Sequence, residues 1–485
     1  MRHPVAPQVE QTVSRGSFSR RDRAVIAAAA LSMLIVQMDW FALDLMLPVI
    51  ARDFGTSSTD LQWLVSGYML AIGALMIVGG RTADVHGRRR VIVIGLIVFA
   101  ALSVVCSAAQ NAPWLVGARV VQGIGAALIF PVSVAVVTSY FRDDRQGPAV
   151  GTVLAFSSLG TALGPFVGGV FAEHVSWRAV FLLNVPVCLA ATVLVLRCVP
   201  ESRDEHATRR LDLPGAAAVA LGLGCLMLAV DQGQGWGWAS APTLVTLALG
   251  VAFLVLFVAV ERRAPEPLIE LSLFRSVKFD VITLAGSLSN VVYCLIAVLA
   301  ALYLQQARGL SPAHAGVIFL ALSCGVGAAS YWAGRLALRW RAELLMACGM
   351  LTSGAGLLAL TWVRPLGWYA VVFAVCGLGI GLGWALTNVA TQAHVPADRT
   401  GAASGLVLTS LVLFGAVSVT IAATVLEAVS GSPTTAAADG PAIETVLRGT
   451  SVLAFLGAFG LFAICRPRRH RHGDAVDGCH PADVA

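Results

Sequence analysis

The chain has 485 residues, of which 57% are apolar and only 12% are charged, and its mean hydropathy is +0.80. A soluble domain carries about 25% charged residues, so this composition excludes an ordinary soluble protein. The net charge of +6 comes almost wholly from arginine, and no basic tract alternates with aromatic residues. Nucleic-acid binding is therefore not expected.

Fourteen apolar spans follow one another, and each is predicted to be a helix because unpaired backbone groups are too costly in lipid. Each span has at least about 17 residues, enough to cross the ~30 Å hydrocarbon core. The first six are 24–48, 61–80, 91–109, 113–137, 148–172 and 177–199. Spans seven and eight are 213–230 and 242–260. The last six are 279–304, 315–338, 343–362, 368–393, 401–427 and 449–465.

The basic residues predict the orientation of these spans. With the N-terminus inside, 27 of the 33 Lys and Arg residues fall on the cytoplasmic side. Arg119 lies within a span, and the outer side holds only Arg52, Arg178, Arg308, Arg364 and Arg448. This asymmetry follows the positive-inside rule. We expect a multi-pass protein of the cell (inner) membrane, with both termini, residues 1–23 and 466–485, in the cytoplasm.

Cysteine and histidine do not predict a metal or catalytic site. Most of the ten cysteines lie in apolar spans without a C-x-x-C pair, and the nine histidines fall in loops or tails. No nucleophile–base pair or Walker A motif occurs, so neither an enzyme nor an ATP-driven pump is expected. About twenty polar residues precede the first span, which is also too long for a signal-peptide core, so no cleavable signal is expected.

Two carboxylates, Asp39 and Asp44, lie within the first span, in residues 38–48 (MDWFALDLMLP). An acid within a span is costly, so it indicates function. Burial favours the neutral form of a carboxyl group, which lets it bind and release a proton. The two acids are about 140° apart around a helix and so do not share one proton site. Asp39 is favoured as the proton site, whereas Asp44, near the outer end, is equally consistent with contact to water.

Arg119 lies within the fourth span, in residues 115–127 (LVGARVVQGIGAA). An arginine in a span costs about 2.5–3.5 kcal/mol unless it finds a partner, for which a carboxylate on the first span is the natural candidate. The alternative is that its side chain reaches the outer surface, roughly 9 Å away along the helix.

The fifth span contains residues 160–169 (GTALGPFVGG). Gly160, Gly164 and Gly168 form a stripe that permits close helix contact. Gly164 and Pro165 favour a kink, and Gly168 and Gly169 follow them. The alternative is general helix packing. Residues 177–186 (WRAVFLLNVP) begin the sixth span and are interpreted as structural.

A charged segment, residues 80–90 (GRTADVHGRRR), separates spans two and three. It is predicted to be a short cytoplasmic loop, in which Gly80 and Gly87 allow a tight turn. Asp84 lies between them with cations on both sides, including Arg88 and Arg89.

These segments resemble motifs of the major facilitator superfamily, and in particular of its fourteen-span drug:proton antiporters. Residues 80–90 resemble the loop between helices 2 and 3, although Thr82 and Val85 replace the usual Leu and Arg. Residues 38–48 resemble the first-helix motif, with Asp44 where Asn is common. Residues 115–127 resemble the fourth-helix motif, and 160–169 the motif that separates exporters from most symporters. Residues 177–186 resemble the start of the sixth helix.

The resemblance implies an all-α membrane protein with the major facilitator fold. Two six-helix bundles, 24–199 and 279–465, would flank a linker, 200–278, that carries two extra transmembrane helices. The bundles would rock around a central cavity, and the expected function is export of drugs or antibiotics driven by the proton gradient, without a cofactor. A dedicated exporter of one metabolite is the first alternative, and a proton-coupled nutrient importer the second.

In this family-based interpretation, Asp39 takes up a proton from outside. Arg119 sets the pKa of Asp39 and responds to the charge state of that carboxyl group. Asp84 and Arg88 would latch the bundles in one state. The substrate would be lipophilic or cationic, held by aromatic and polar side chains, and the protein is expected to be a monomer in the lipid bilayer. Candidate cavity residues are Tyr68, Phe156, Asn290, Tyr293, Trp384 and Asn388.

Overall fold

A computed structural model describes residues 18–56, 61, 63–203, 212–264, 277–304, 308–310, 312–363, 365–393, 400–430 and 440–465. These residues form fourteen long α-helices and no strand. The first seven are α1 (Arg20–Phe54), α2 (Trp63–His86), α3 (Arg88–Ser107), α4 (Ala112–Tyr140), α5 (Gln146–His174), α6 (Trp177–Cys198) and α7 (Leu213–Trp236). The others are α8 (Ala241–Glu261), α9 (Val277–Leu302), α10 (Pro312–Leu336), α11 (Ala342–Leu360), α12 (Leu366–Ala393), α13 (Thr400–Ser430) and α14 (Gly440–Cys465).

The helices have the length and composition of membrane spans. Within the described residues, thirteen are long and apolar enough to cross a membrane, and α13 contains a shorter apolar stretch, Gly405–Gly415. The predicted all-helical membrane fold is confirmed, while several helix ends differ. Helix α1 begins at Arg20, before the predicted span, because Ser19 and Asp22 form a reciprocal capping box. It continues to Phe54, where Gly55 adopts φ +64 and ends it.

The predicted loop at 80–90 is wrong, because this segment is helical except at one residue. Helix α2 contains Gly80 and continues to His86, and α3 begins at Arg88. Gly87 alone turns the chain, with φ +109, a backbone conformation that favours glycine. Helix α2 continues beyond its apolar residues because Asp84 forms an ion pair with Arg88, one turn later and on the other side of Gly87.

The helices pack as two groups of six with α7 and α8 beside them. In the first group α1 packs against α4, α5 and α6, while α4 also contacts α2 and α3. In the second, α12 contacts α9, α10 and α11, while α14 contacts α9 and α11. The groups meet where α5 crosses α10 and where α2 crosses α13. Helix α7 packs on α8 and also contacts α2 and α13. Helices α7 and α8 therefore lie beside the crossing of α2 and α13.

The hydrophobic core joins the two groups at one end of the molecule and divides at the other. We call the end that carries Gly87 and the start of α1 the inner face. Near it, one cluster includes Met33 of α1 together with Ala333 and Met346 of the second group. Toward the opposite, outer face, Leu43 belongs to a cluster of the first group alone and Phe373 to one of the second. The groups are thus most closely joined at the inner face.

Candidate functional site

A buried ion pair links α1 to α4. Arg119 Nη1 lies 2.5 Å from Asp39 Oδ2, and the two side chains are each 1% exposed. Leu64 and Gln122 contribute carbonyl oxygens that accept from the same guanidinium, at 3.4 and 2.9 Å. Burial of either charge alone would be strongly unfavourable, so the pair and its hydrogen bonds explain why both residues are tolerated inside the helix bundle. Arg119 therefore pairs with a carboxylate of the first helix, as the sequence predicted.

Aromatic rings enclose the cation of this pair. The Arg119 guanidinium carbon lies 4.0 Å from the centroid of the Tyr68 ring on α2 and 5.7 Å from that of Phe181 on α6. Trp40, next to Asp39, meets Tyr68 edge-on at 6.2 Å. Tyr68 was expected to line the substrate cavity; its contacts instead bring it to the ion pair. An aromatic face attracts a cation strongly where water is excluded.

The ion pair is part of a closed ring of hydrogen bonds. Gln122 Nε2 donates to Ser103 Oγ of α3 at 2.8 Å. Asn184 Nδ2 of α6 donates both to Ser103 Oγ at 3.2 Å and to Asp39 Oδ1 at 2.6 Å. Four helices therefore meet at Asp39, and each of its carboxylate oxygens has its own donor.

Sequence reasoning missed Asn184 and Ser103. Residues 177–186 were interpreted as structural, although Asn184 is an amide within an apolar stretch of α6. Such a side chain needs a buried partner, and that requirement was the available signal. The second predicted acid, Asp44, lies in α1, but its side chain falls outside the described residues.

The glycine stripe of α5 packs closely against α1 next to the ion pair. A Cβ atom on Gly160, Gly164 or Gly168 would lie 2.4, 2.7 or 2.3 Å from a carbonyl oxygen of α1, namely those of Leu34, Met38 and Ala42. Since real Cβ atoms do not approach so closely, only glycine permits this helix separation. The middle contact is at Met38, one residue before Asp39.

The rest of this motif continues the same helix. Helix α5 runs through Pro165 without interruption, and Gly169 is half-buried. Gln37 of α1 donates from Nε2 to Thr161 Oγ1 at 3.2 Å, which adds a polar link to the glycine contact.

The Gly87 junction docks on the end of α6. Arg88 donates from Nη2 and Nε to Asp84 Oδ1, at 2.7 and 3.0 Å, and both side chains are buried. The backbone N–H of Arg88 donates to the carbonyl of Ser202 at 2.9 Å. Glu201 accepts from the Arg89 backbone N–H at 3.1 Å, and the Arg89 guanidinium donates to a carbonyl of α6. The motif thus ties the α2–α3 junction to the start of the connection toward α7.

The remaining cavity candidates are dispersed. Phe156 is 47% exposed, while Trp384 is half-buried. Asn290 and Asn388 use their amides on backbone carbonyls, at 2.8 and 3.0 Å. Tyr293 meets Phe41 of α1 edge-on, with ring centroids 6.5 Å apart, and so joins the two groups of helices. The described contacts do not gather these side chains around one position.

Known proteins are similar to this chain over most of its length. It is 31% identical over 402 residues to the multidrug efflux pump LfrA of Mycolicibacterium smegmatis, covering 82% of this chain and 79% of that protein. It is 34% identical over 424 residues to the cephamycin export protein CmcT of Amycolatopsis lactamdurans, covering 84% of this chain and 86% of that protein.

Structure and family comparisons agree on the fold. The crystal structure of the human organic anion transporter MFSD10 (TETRAN) matches 90% of this chain and 99% of that chain with a TM-score of 0.65. The sequence identity is 16%, so this similarity concerns the fold alone. The profile of the Major Facilitator Superfamily matches residues 29–419. The chain therefore belongs to the Major Facilitator Superfamily and is a multi-pass membrane transporter.

Proposed function

We propose that this chain is a fourteen-span antiporter that exports drugs or antibiotics from the cytoplasm in exchange for protons. The buried pair of Asp39 and Arg119 carries this proposal. A carboxylate that is paired with one cation inside a membrane protein can bind and release a proton as that contact weakens and strengthens. The names of LfrA and CmcT, an efflux pump and an export protein, support export as the direction.

The proposed cycle uses the two crossings between the helix groups. Residues 24–199 and 279–465 act as the two moving bundles, while 200–278 connects them with α7 and α8. The inner-face core and the α5–α10 contact support a state in which the cytoplasmic entrance is closed. Both termini would lie in the cytoplasm, in accord with the positive-inside distribution.

Proton binding would neutralise Asp39 and weaken its hold on Arg119. The guanidinium would keep its hydrogen bonds to the Gln122 and Leu64 oxygens and its cation–π contact with the Tyr68 ring, and these would stabilise the cation. Because α1 lies against the α5 glycine stripe, a change at Asp39 is transmitted to the helix that contacts the second bundle. Proton uptake and bundle movement would be coupled in this way.

The substrate class rests on the chemistry near the bundle interface. Phe41 and Tyr293 provide an aromatic pair that joins the bundles, which suits a lipophilic or cationic compound. CmcT is named for one antibiotic and LfrA for many drugs, so a dedicated exporter of one metabolite is the second candidate. The glycine motif of α5, which resembles the exporter motif, disfavours nutrient import. No enzymatic step or cofactor is part of this proposal, and the unit is a monomer.

Proton exchange in inverted vesicles tests the proposal. Vesicles that hold an acidic interior and a pH dye receive a panel of lipophilic cations and antibiotics. We expect wild-type protein to dissipate the gradient when a substrate is added, and Asp39→Asn to remove that response. Ser32→Ala is the matched control, because this buried α1 hydroxyl donates to Ala28 of its own helix. Dissipation that survives in Asp39→Asn would refute Asp39 as the proton site, and a wild type without response to any compound would refute broad drug antiport.

A further inference from the structure

Asn184 shares the Asp39 carboxylate with Arg119, and the two donors approach different oxygens. Arg119 Nη1 approaches Oδ2 at 2.5 Å, while Asn184 Nδ2 approaches Oδ1 at 2.6 Å. A guanidinium stays protonated throughout the physiological range, so it donates at all times and never accepts. The oxygen that faces Asn184 is therefore the favoured position for an incoming proton.

The acceptor of the same amide is left without a partner. Asn184 is buried, and within the described part of the chain its Oδ1 atom makes no hydrogen bond. A buried carbonyl oxygen without a donor is unfavourable. The amide thus makes two bonds through nitrogen and none through oxygen while Asp39 is ionised. Protonation of Asp39 reverses the requirement, because a carboxylic acid must donate.

We propose that Asn184 is a positioning residue that hydrogen-bonds to Asp39 in both of its protonation states. It donates Nδ2–H to the carboxylate and, after a half turn of its amide, accepts the O–H of the acid through Oδ1. One O–H bond forms at Asp39 Oδ1 with a proton from a hydronium ion of the solution, whose own O–H bond breaks, and the hydrogen bonds around the carboxyl group are exchanged. The inference rests on the proposed proton-coupled function and adds the residue that accepts a hydrogen bond from the protonated carboxyl group.

Ser103 permits this half turn. Its Oγ accepts from Asn184 Nδ2 at 3.2 Å and from Gln122 Nε2 at 2.8 Å, while its own proton is donated to the carbonyl of Phe99 at 2.9 Å. A hydroxyl rotates to suit its neighbours. When Asn184 presents Oδ1 instead, Ser103 turns its proton toward that oxygen. The Asp39 carboxyl group therefore keeps a hydrogen bond to Asn184 before and after protonation.

Asp39 is the carboxyl group of this site, and other titratable side chains face it. The titratable groups that face it are Arg119 from α4, Tyr68 from α2, Cys106 from α3 and Cys188 from α6. Arginine stays cationic, and tyrosine and cysteine are neutral under acidic conditions. From α5 the neighbouring surface is the glycine stripe. A pH titration of the site therefore reports on Asp39.

Infrared titration of the carboxyl group tests the inference without any substrate. Purified full-length protein in liposomes is titrated while the C=O stretch of protonated carboxylic acids is followed, and the band lost in Asp39→Asn is assigned to Asp39. Asn184→Leu removes the donor to the charged form, which is the stronger of the two bonds. We expect the midpoint of the Asp39 band to move to higher pH by about one unit.

A matched variant and a second substitution complete the experiment. Ser32→Ala removes a buried hydroxyl from the same helix as Asp39 and is expected to leave the midpoint unchanged. Asn184→Ser keeps a shorter donor and acceptor, so a smaller shift in the same direction is expected, which preserves the test if Asn184→Leu does not fold. An unchanged midpoint in a folded Asn184 variant would overturn the inference.

The two proposals fail in different ways. A wild type whose Asp39 band titrates and shifts in Asn184→Leu, but which exchanges no proton for any compound, supports the role of Asn184 and refutes broad drug antiport. A wild type that exchanges protons, with a midpoint insensitive to Asn184, refutes only the role of Asn184. If no band is lost in Asp39→Asn, Asp39 does not titrate and the inference is overturned.

Discussion

The Arg119 guanidinium is held by the ring of Tyr68 and not by its hydroxyl. The guanidinium carbon lies 4.0 Å from the ring centroid. Tyr68 is fully buried, and its hydroxyl makes no hydrogen bond to the described residues. The ring is thus the part of Tyr68 that stabilises the cation, which matters most when Asp39 is neutral.

Substitution of Tyr68 separates the two parts of the side chain. Tyr68→Phe keeps the ring and is expected to retain wild-type transport and thermal stability. Tyr68→Leu loses the cation–π contact and part of the packing, so we expect it to be less stable by roughly 1–3 kcal/mol and to transport more slowly. Thermal unfolding of the purified protein and efflux of a fluorescent substrate measure both effects. If Tyr68→Phe is as defective as Tyr68→Leu, the hydroxyl has a function that the contacts do not explain.

The ion pair was predictable from the sequence, whereas its surroundings were not. An acid and an arginine in separate apolar spans require compensation, so a carboxylate of the first span was the natural candidate partner of Arg119, with contact to the outer surface as the alternative. Asn184 lies 145 residues from Asp39, in a segment that was interpreted as structural. Spacing along one helix does not reveal which faces of different helices meet, and so the ring through Ser103 was not predicted.

Two other differences have local causes. The charged residues 80–90 were predicted to be a loop because charge usually marks a turn between spans, but the Asp84–Arg88 pair maintains helix on both sides of Gly87. Among the cavity candidates, Asn290 was selected because it is polar and lies in a span. Its amide instead donates to the Leu411 carbonyl of α13, a packing role that composition does not distinguish from ligand binding.

Gly164 is predicted to be essential for the position of Asp39. A Cβ atom at Gly164 would lie 2.7 Å from the Met38 carbonyl oxygen and 2.9 Å from Phe41 Cβ. Gly164→Ala must therefore displace α1 from α5, at a cost of about 1–3 kcal/mol, and misalign the carboxylate. We expect the variant to insert in the membrane but to lose most substrate-dependent proton exchange.

Gly117→Ala is the control for this substitution. It adds the same methyl group to a membrane helix, but among the described residues no heavy atom of another element lies within 4 Å of the added Cβ. Transport by Gly117→Ala should equal that of wild type. Full activity in Gly164→Ala would mean that the close approach of α1 and α5 is not required for coupling.

The outer ends of α1 and α6 are predicted to respond to acid. Hydrogen bonds from Arg178 and Trp177, at 2.7 and 3.0 Å, hold the pKa of Asp53 below its ordinary value of 3.8. The ionised carboxylate therefore stabilises the fold above that pH, and this contribution disappears as the pH falls through the lowered pKa. The site is partly exposed, so the effect is small.

Melting temperatures of wild type and Asp53→Asn provide the measurement. We expect wild type to melt at a higher temperature than Asp53→Asn near neutral pH, and the difference to decrease as the pH falls below 3.8 and to vanish below the lowered pKa of Asp53. A difference that persists at the most acidic pH would assign the stabilisation to packing of Trp177 rather than to the charge of Asp53.

Closure of the inner face is predicted to depend on Gly334. A Cβ atom there would lie 2.0 Å from the Gly147 carbonyl oxygen and 2.6 Å from Pro148 N, and backbone atoms cannot yield as a flexible side chain does. Gly334→Ala must separate α5 from α10, which favours the state with an open inner face. We expect faster hydrogen exchange at both inner helix ends and reduced transport. Gly316→Ala, on the same helix and with no neighbour within 4 Å in the described part of the chain, should change neither. Unaltered exchange with full transport in Gly334→Ala would exclude this crossing as the contact that closes the inner face.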